Sequence, residues 1–218
     1  LLLGSGLPEG AVATTDHQTG GRGRLGRRWE DVPGTSVLVS VLLRPPAGRR
    51  AQELSLVAGL AAAETVEVAT GLSAQIKWPN DVMLGRRKVA GILAEMRGVD
   101  AVVGIGLNVN QTRAQLPTDT RTAAASLRTV TGHEHDRDAI LETLLVRLDR
   151  YYRAWSLQGL GDAYCDLGGR DFLRGRRVRH GGEEATALMI DREGRLVLER
   201  AHGERHAVES GEVELVSG

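Results

Sequence analysis

Ala74-Gln75-Ile76-Lys77-Trp78-Pro79-Asn80-Asp81-Val82-Met83-Leu84-Gly85-Arg86-Arg87-Lys88-Val89-Ala90-Gly91-Ile92-Leu93-Ala94-Glu95-Met96 is the stretch on which the reading of this chain turns. Ala74 to Trp78, Val82 to Leu84 and Val89 to Met96 are short apolar segments. Pro79-Asn80 and Gly85-Arg86-Arg87 separate them, so the pattern predicts successive strands joined by tight turns. Ala101 to Val109 reads as a fourth strand. The chain's only two lysines, Lys77 and Lys88, also lie here, whereas the other 26 of its 28 Lys and Arg side chains are arginine. Arginine is a planar fork and lysine a compact point charge, so two lysines in an arginine-built chain mark places where a guanidinium does not fit. Codon bias explains the scarcity of lysine but not its clustering.

Upstream, Leu1-Leu2-Leu3 before Gly4-Ser5-Gly6 reads as a helix end and Val12 to Thr15 as a short strand. Ser36 to Leu43 alternates, with Val37, Val39, Val41 and Leu43 on one face. Glu53 to Thr70 has the Ala-, Leu- and Val-rich spacing of a buried helix. Downstream, Leu141, Leu144, Leu145, Leu148, Tyr152 and Trp155 repeat at the helical period and predict an amphipathic helix over Asp138 to Ser156. Gly168-Gly169-Arg170-Asp171 reads as a boundary. Beyond it come short alternating segments: Arg176 to Arg179, Glu184 to Ile190, Leu196 to Glu199, His206 to Val208 and Val213 to Val216. They predict a small barrel-like β domain. The fold class is therefore α+β: a mixed or antiparallel sheet packed by helices over 1–169, then a β domain over 170–218.

The bulk numbers bound the function. The 218 residues are 41% hydrophobic and carry zero formal net charge, so a real core is available and any basic site is local. The single cysteine, Cys165, excludes an internal disulfide and suits a reducing cytoplasm. No apolar run is long enough to span a bilayer, and no signal peptide is visible. The six histidines form no metal pattern; His202 and His206 lie in strand-and-turn sequence.

Three constellations carry chemistry. Gln18-Thr19-Gly20-Gly21-Arg22-Gly23-Arg24-Leu25-Gly26-Arg27-Arg28-Trp29 contains a formal G-x-G-x-x-G at Gly21, Gly23 and Gly26. The dinucleotide reading needs a helix directly after it, and Pro33-Gly34 followed by a strand denies that. Four arginines interleaved with glycine make a cationic loop suited to an anion such as phosphate; a solvated basic loop is the bland alternative. In the second, Lys77 and Lys88 flank a Trp-Pro-Asn-Asp turn in which Asp81 sets a carboxylate near two ammonium groups. That cluster suits phosphate and metal binding together with proton handling, against the alternative of a surface ion pair worth little. The third is Gly104-Ile105-Gly106-Leu107-Asn108. Alternation puts Gly104, Gly106 and Asn108 on one face, a floor on which a planar ring could lie while the Asn reads its edge; the alternative is a crowded packing site.

Taken together and in this order, the three resemble the biotin protein ligase (biotin–[acetyl-CoA-carboxylase] ligase) family. Lys77-Trp78-Pro79-Asn80-Asp81, Arg87-Lys88-Val89-Ala90-Gly91-Ile92-Leu93 and Gly104-Ile105-Gly106-Leu107-Asn108-Val109-Asn110 match alongside the arginine loop, and the resemblance covers most of the chain. It implies a class II synthetase-like core and a small SH3-like β-barrel from Phe172 onward. It also implies ATP, Mg²⁺ and biotin as ligands, and a biotin carboxyl carrier protein as partner. Gln18, the backbone of Arg22-Gly23-Arg24 and Lys88 would contact biotin. Arg24 and Arg27 would hold the adenylate and phosphates, Asn108 would meet the adenine, and Trp29 would pack at the adenylate end. Lys88, Arg24 and Asp81 are the implied catalytic residues. Gly21, Lys77, Asn80, Gly91, Gly104 and Gly106 complete the implied binding set, with no metal-ligating residue. Gly20 stands where alanine is usual. The family's Ser-Thr-Asn segment would precede Leu1, so a truncated N-terminus is expected. No winged-helix segment is visible, so no nucleic-acid partner is expected, and no membrane.

Two rival readings stand beside it. A lipoate ligase or octanoyl transferase shares the fold but needs an apolar acyl tunnel and lacks the Arg-Gly-Arg loop. An RNA-binding module would stack bases on aromatics, yet aromatics are 3% of the chain.

Overall fold

The computed structural model describes residues 2–118 and 122–216. Strands β1 (Val12–Thr14), β2 (Ser36–Leu43), β3 (Ala74–Lys77), β4 (Asp81–Leu84), β5 (Arg87–Arg97) and β6 (Asp100–Asn108) form one sheet in the order β1-β2-β6-β5-β4-β3. Every pairing in it is antiparallel. Helix α1 (Ala51–Thr70) lies between β2 and β3 in sequence, and α2 (Leu127–Thr131), α3 (Arg137–Gln158) and α4 (Tyr164–Arg170) follow β6. The α+β expectation therefore holds, with the sheet wholly antiparallel.

Period-2 sequence explains the layering. On β2, Val37, Val39, Val41 and Leu43 join the main apolar core with Ala101, Val103, Ile105 and Leu107 of β6. Helix α1 covers that face. Its Leu54, Leu56, Val57, Leu60 and Val66 are fully buried, because α3 packs on its other side. A helix apolar around most of its circumference is the sequence solution to burial on two sides. Gly71, at φ 69°, ends α1 in the left-handed conformation that glycine adopts without penalty.

Strands β7 (Arg177–His180), β8 (Glu183–Ile190), β9 (Leu196–Glu199), β10 (Arg205–Val208) and β11 (Glu214–Leu215) form a second antiparallel sheet, ordered β10-β9-β8-β7-β11. It is tied to the first. Trp78, 1% exposed, donates its indole N–H to the Gly194 carbonyl at 3.0 Å. Phe172 N–H donates to the Ile76 carbonyl at 3.0 Å, continuing from the edge of β3.

Two details go beyond the sequence expectation. Gly168, Gly169 and Arg170, at the expected boundary, are the last turn of α4. That turn is held by Leu167, fully buried, and by Arg170 on Glu67 at 2.8 Å, so packing overrides the poor helix propensity of two glycines. At the start of the chain, Leu3 and Gly4 form a turn, and the Leu1 end of the expected helix lies outside the described residues. Among the described residues no helix is long and apolar enough to cross a membrane.

Candidate active site

The site lies on the face of the sheet opposite α1. Along β6 the buried residues alternate with Gly104 and Gly106, so the two glycines present bare backbone on this face. Gly91 of β5 stands directly across from Gly106. The indole of Trp29 rests on this glycine pair: a Cβ on Gly106 would stand 2.6 Å from Trp29 Cε2, and one on Gly91 would stand 3.0 Å from Cζ3. The flat floor read from the sequence is real, and over Gly106 the protein's own ring lies on it. Gly104 has only ordinary neighbours, Leu93 and Ser40.

Lys88 reaches the same face through a β-bulge. The register of β4 against β5 shifts between Val82 and Met83, so that Val82 faces Ala90 and Met83 faces Lys88. Val89 and Ala90 are both fully buried. Strict alternation would put Lys88 in the core beside Ala90; the extra residue turns it out beside Gly91. A bulge re-aims a side chain in this way. The Lys88 ammonium then sits 2.6 Å from Asp81 Oδ1 and 5.7 Å from the centre of the Trp29 ring.

The arginine loop is a small closed hairpin. Gly23 N–H donates to Arg27 at 2.7 Å and Trp29 N–H to Gly21 at 3.0 Å. Leu25 at φ 56° and Gly26 at φ 73° make its tip. Gly21 must be glycine here: a Cβ would stand 2.5 Å from the Trp29 carbonyl oxygen and 2.7 Å from Gln18 Oε1. Three of the four arginines are anchored. Arg24 Nη1 donates to Asn80 Oδ1 at 3.4 Å, and burial lowers its pKa while the charge of Asp81 opposes that shift. Arg22 pairs with Glu95 at 2.9 Å. Arg27 pairs with Glu212, from the C-terminal β region. Asn80 is itself fixed, donating to the Ile92 carbonyl at 2.7 Å.

The structure therefore brings Arg24, Asn80, Asp81, Lys88, Gly91, Gly106 and Trp29 together. Gln18 stands at the hinge of the loop beside Gly21. Lys77 is directed elsewhere, donating to Thr122 at 2.9 Å. Asn108 is only 5% exposed. Its amide nitrogen donates to the Ala125 carbonyl at 3.1 Å, and its oxygen accepts from Gln111 at 3.1 Å. It thus holds the segment after β6 in place. Ser36 and Gln111 complete that buried network at 2.6 Å. Sequence reading missed them, along with Glu95, Glu212 and Asp31. Asp31 accepts from Gln18 N–H at 3.3 Å. None of these residues stands in a pattern that announces a role; only their partners across the fold reveal it. Among the described residues no group of three His, Cys, Asp or Glu side chains could hold a metal ion.

Residues 2–111 match the model of the biotin/lipoate A/B protein ligase family. The chain is 34% identical over 226 residues to the bifunctional ligase/repressor BirA of Bacillus subtilis strain 168, covering 98% of this chain and 69% of the relative. It is 34% identical over 215 residues to the biotin–[acetyl-CoA-carboxylase] ligase of Mycobacterium tuberculosis H37Rv, covering 94% and 79%. Among solved structures, the biotin protein ligase of Aquifex aeolicus in complex with biotin and ATP superposes with a TM-score of 0.87 at 30% identity, covering 97% of this chain and 91% of that one. With its arginine loop, bulged lysine strand and glycine floor on one face of the sheet, the chain belongs to the biotin/lipoate A/B protein ligase family, among its biotin protein ligases.

Proposed function

We propose that this chain activates biotin with ATP as biotinyl-5′-AMP and transfers the biotinyl group to a lysine of a biotin carboxyl carrier protein. The observation that carries the reading is the Lys88–Asp81 pair, at 2.6 Å, beside the Gly91–Gly106 floor. In the first step an oxygen of the biotin carboxylate attacks the α-phosphorus of ATP, and the bond to pyrophosphate breaks. Two anions must approach, so the barrier is mainly electrostatic. The Lys88 ammonium, oriented by Asp81, stabilises the charge that develops between them. Arg24, held by Asn80, faces the adenylate, and Arg27 is directed to the phosphates in exchange for Glu212. In the second step the acceptor amine attacks the biotinyl carbonyl, AMP leaves, and the amine loses a proton. Asp81 is the carboxylate placed to accept that proton.

Magnesium ordinarily binds through one or two carboxylates together with substrate phosphates. The ion would arrive on the nucleotide, held by its phosphates, and would offset charge on the leaving pyrophosphate. Trp29 and the closed loop keep water from the mixed anhydride. Residues 1–169 carry this chemistry, and an SH3-like unit within 170–218 packs on them and supports it through its contacts with Trp78 and Arg27. The lone cysteine suits action in the cytoplasm. The lipoate reading is less favoured, because a biotin–[acetyl-CoA-carboxylase] ligase and a biotin protein ligase structure match this chain over 94% and 97% of its length.

Biotin-dependent ATP–pyrophosphate exchange, followed by avidin detection of a purified carrier domain, tests the proposal. Both signals are expected in the wild-type chain. Lys88→Ala should lower exchange by about 10²–10³-fold, the usual cost of removing a donor aimed at a developing charge, with unchanged circular dichroism. Near-normal exchange in that variant removes Lys88 from the mechanism.

A further inference from the structure

Arg87 neighbours Lys88 on β5 but points to the opposite side of the strand. There, with Arg113, Arg128 and Thr129, it lines an open hollow of about 460 Å³. Arg87 and Arg113 are exposed, and among the described residues neither has an ion-pair partner. Arg128 is held by a single exposed carboxylate, Glu134, at 2.6 Å. The hollow therefore carries two uncompensated positive charges on a chain whose formal net charge is zero.

Its position links it to the reaction. Lys88 N–H donates to the Ala123 carbonyl, and Ala125 N–H donates to the Lys88 carbonyl, each at 2.8 Å. The segment stitched to Lys88 in this way runs straight into α2, which carries Arg128. The hollow and the Lys88–Asp81 centre thus lie on two sides of one strand. Because Arg87 faces away from Lys88, the cluster does not converge on the atoms that the adenylation step uses.

We propose that Arg87, Arg113 and Arg128 form the docking patch for an acidic face of the protein whose lysine is modified. The inference rests on the ligase reading, which requires a macromolecular second substrate. Exposed charges at the rim of an interface act on encounter and register more than on chemistry. The patch should therefore serve the transfer step and leave adenylation alone. A carboxylate on the partner can take over Arg128 from Glu134 and engage the two free guanidinium groups.

The test is the double variant Arg87→Glu/Arg113→Glu, assayed separately in each half-reaction with a purified biotin carboxyl carrier domain. Biotin-dependent ATP–pyrophosphate exchange should stay within about twofold of wild type. KM for the carrier should rise about tenfold or more with little change in kcat, and added salt should shrink the difference. A carrier in which surface acidic residues are replaced by lysine should recover part of the loss. A parallel fall in exchange overturns the proposal and assigns the hollow to the nucleotide. Transfer at wild-type KM overturns it as well. Absence of exchange in the wild-type chain is a different result and overturns the ligase reading itself.

Discussion

On one face of β6, Ala101, Val103, Ile105 and Leu107 are at most 2% exposed and pack beneath α1. On the other, Gly104 and Gly106 leave bare backbone, and the Trp29 ring settles on it. The two faces share one backbone and one set of ladder hydrogen bonds, yet the first is built from branched side chains and the second from their absence. The difference teaches that stability and chemistry are separable here at single-residue spacing. A substitution at an odd position of β6 should act on folding, and one at an even position should act on the ligand.

Leu107→Ala tests the buried face most severely. Removing a fully buried leucine should cost about 2–5 kcal/mol of stability, read as a lower denaturation midpoint. Exchange activity measured well below the melting temperature should remain. Loss of activity in a variant that is still folded would show that the faces are not separable.

Gly106→Ala should do the reverse. The new methyl would stand 2.6–2.7 Å from two atoms of the Trp29 ring, so the ring must lift and the loop with it. A displacement of this size should cost about tenfold in kcat/KM for exchange, with the melting temperature nearly unchanged. A fully active variant would mean that the indole's seat on the floor is not used.

The smallest effect concerns the layer behind the core. Glu64 of α1 accepts from the Tyr151 hydroxyl and from Arg150 of α3. Burial pushes its pKa up, but these hydrogen bonds and the charges of Arg150 and Arg147 outweigh it and hold the folded value below 4.5. A depressed carboxylate adds stability above its unfolded pKa and loses it as pH falls through the folded value. Glu64→Gln should therefore remove about 1 kcal/mol at neutral pH and flatten the acid limb of the stability curve. Denaturant titrations from neutral pH down to pH 3 check this, and an unchanged acid limb would show that the α1–α3 contact does not depend on the charge.

Much of the fold was legible because it rests on period. The alternation of Ser36–Leu43 predicts β2 to the residue, and the leucine spacing after Asp138 predicts α3 to within two residues at either end. Helix α2 was not legible in that way. It is only five residues long and is held by Ser126, which accepts from Thr129 N–H at 3.1 Å; a cap is too local to show up as a period. The site divides similarly. The arginine loop, the two lysines and the glycine strand were visible as unusual residues in short range. The anchors Glu95 and Glu212 were not, because each pairs with the loop across more than fifty positions of sequence.

Lys88 shows where the division falls. That a lysine, not an arginine, stands on a strand three residues before a glycine is readable from composition and local pattern alone. Strict alternation from Gly91 would have turned it into the core. That it faces Asp81 follows from the register between β4 and β5, which is set by how two strands fit together. The extra residue at Val89, opposite the Val82/Met83 step, inverts the faces of Arg87 and Lys88, the β5 residues before it. Asn108 makes the same point in reverse: the sequence put it on the site face, and packing against Gln111 and Ala125 then engaged its amide. Side-chain type and period are local quantities that the chain carries everywhere. Register, bulges and hydrogen-bond partners arise from contacts between distant segments, and they exist only once those segments have met.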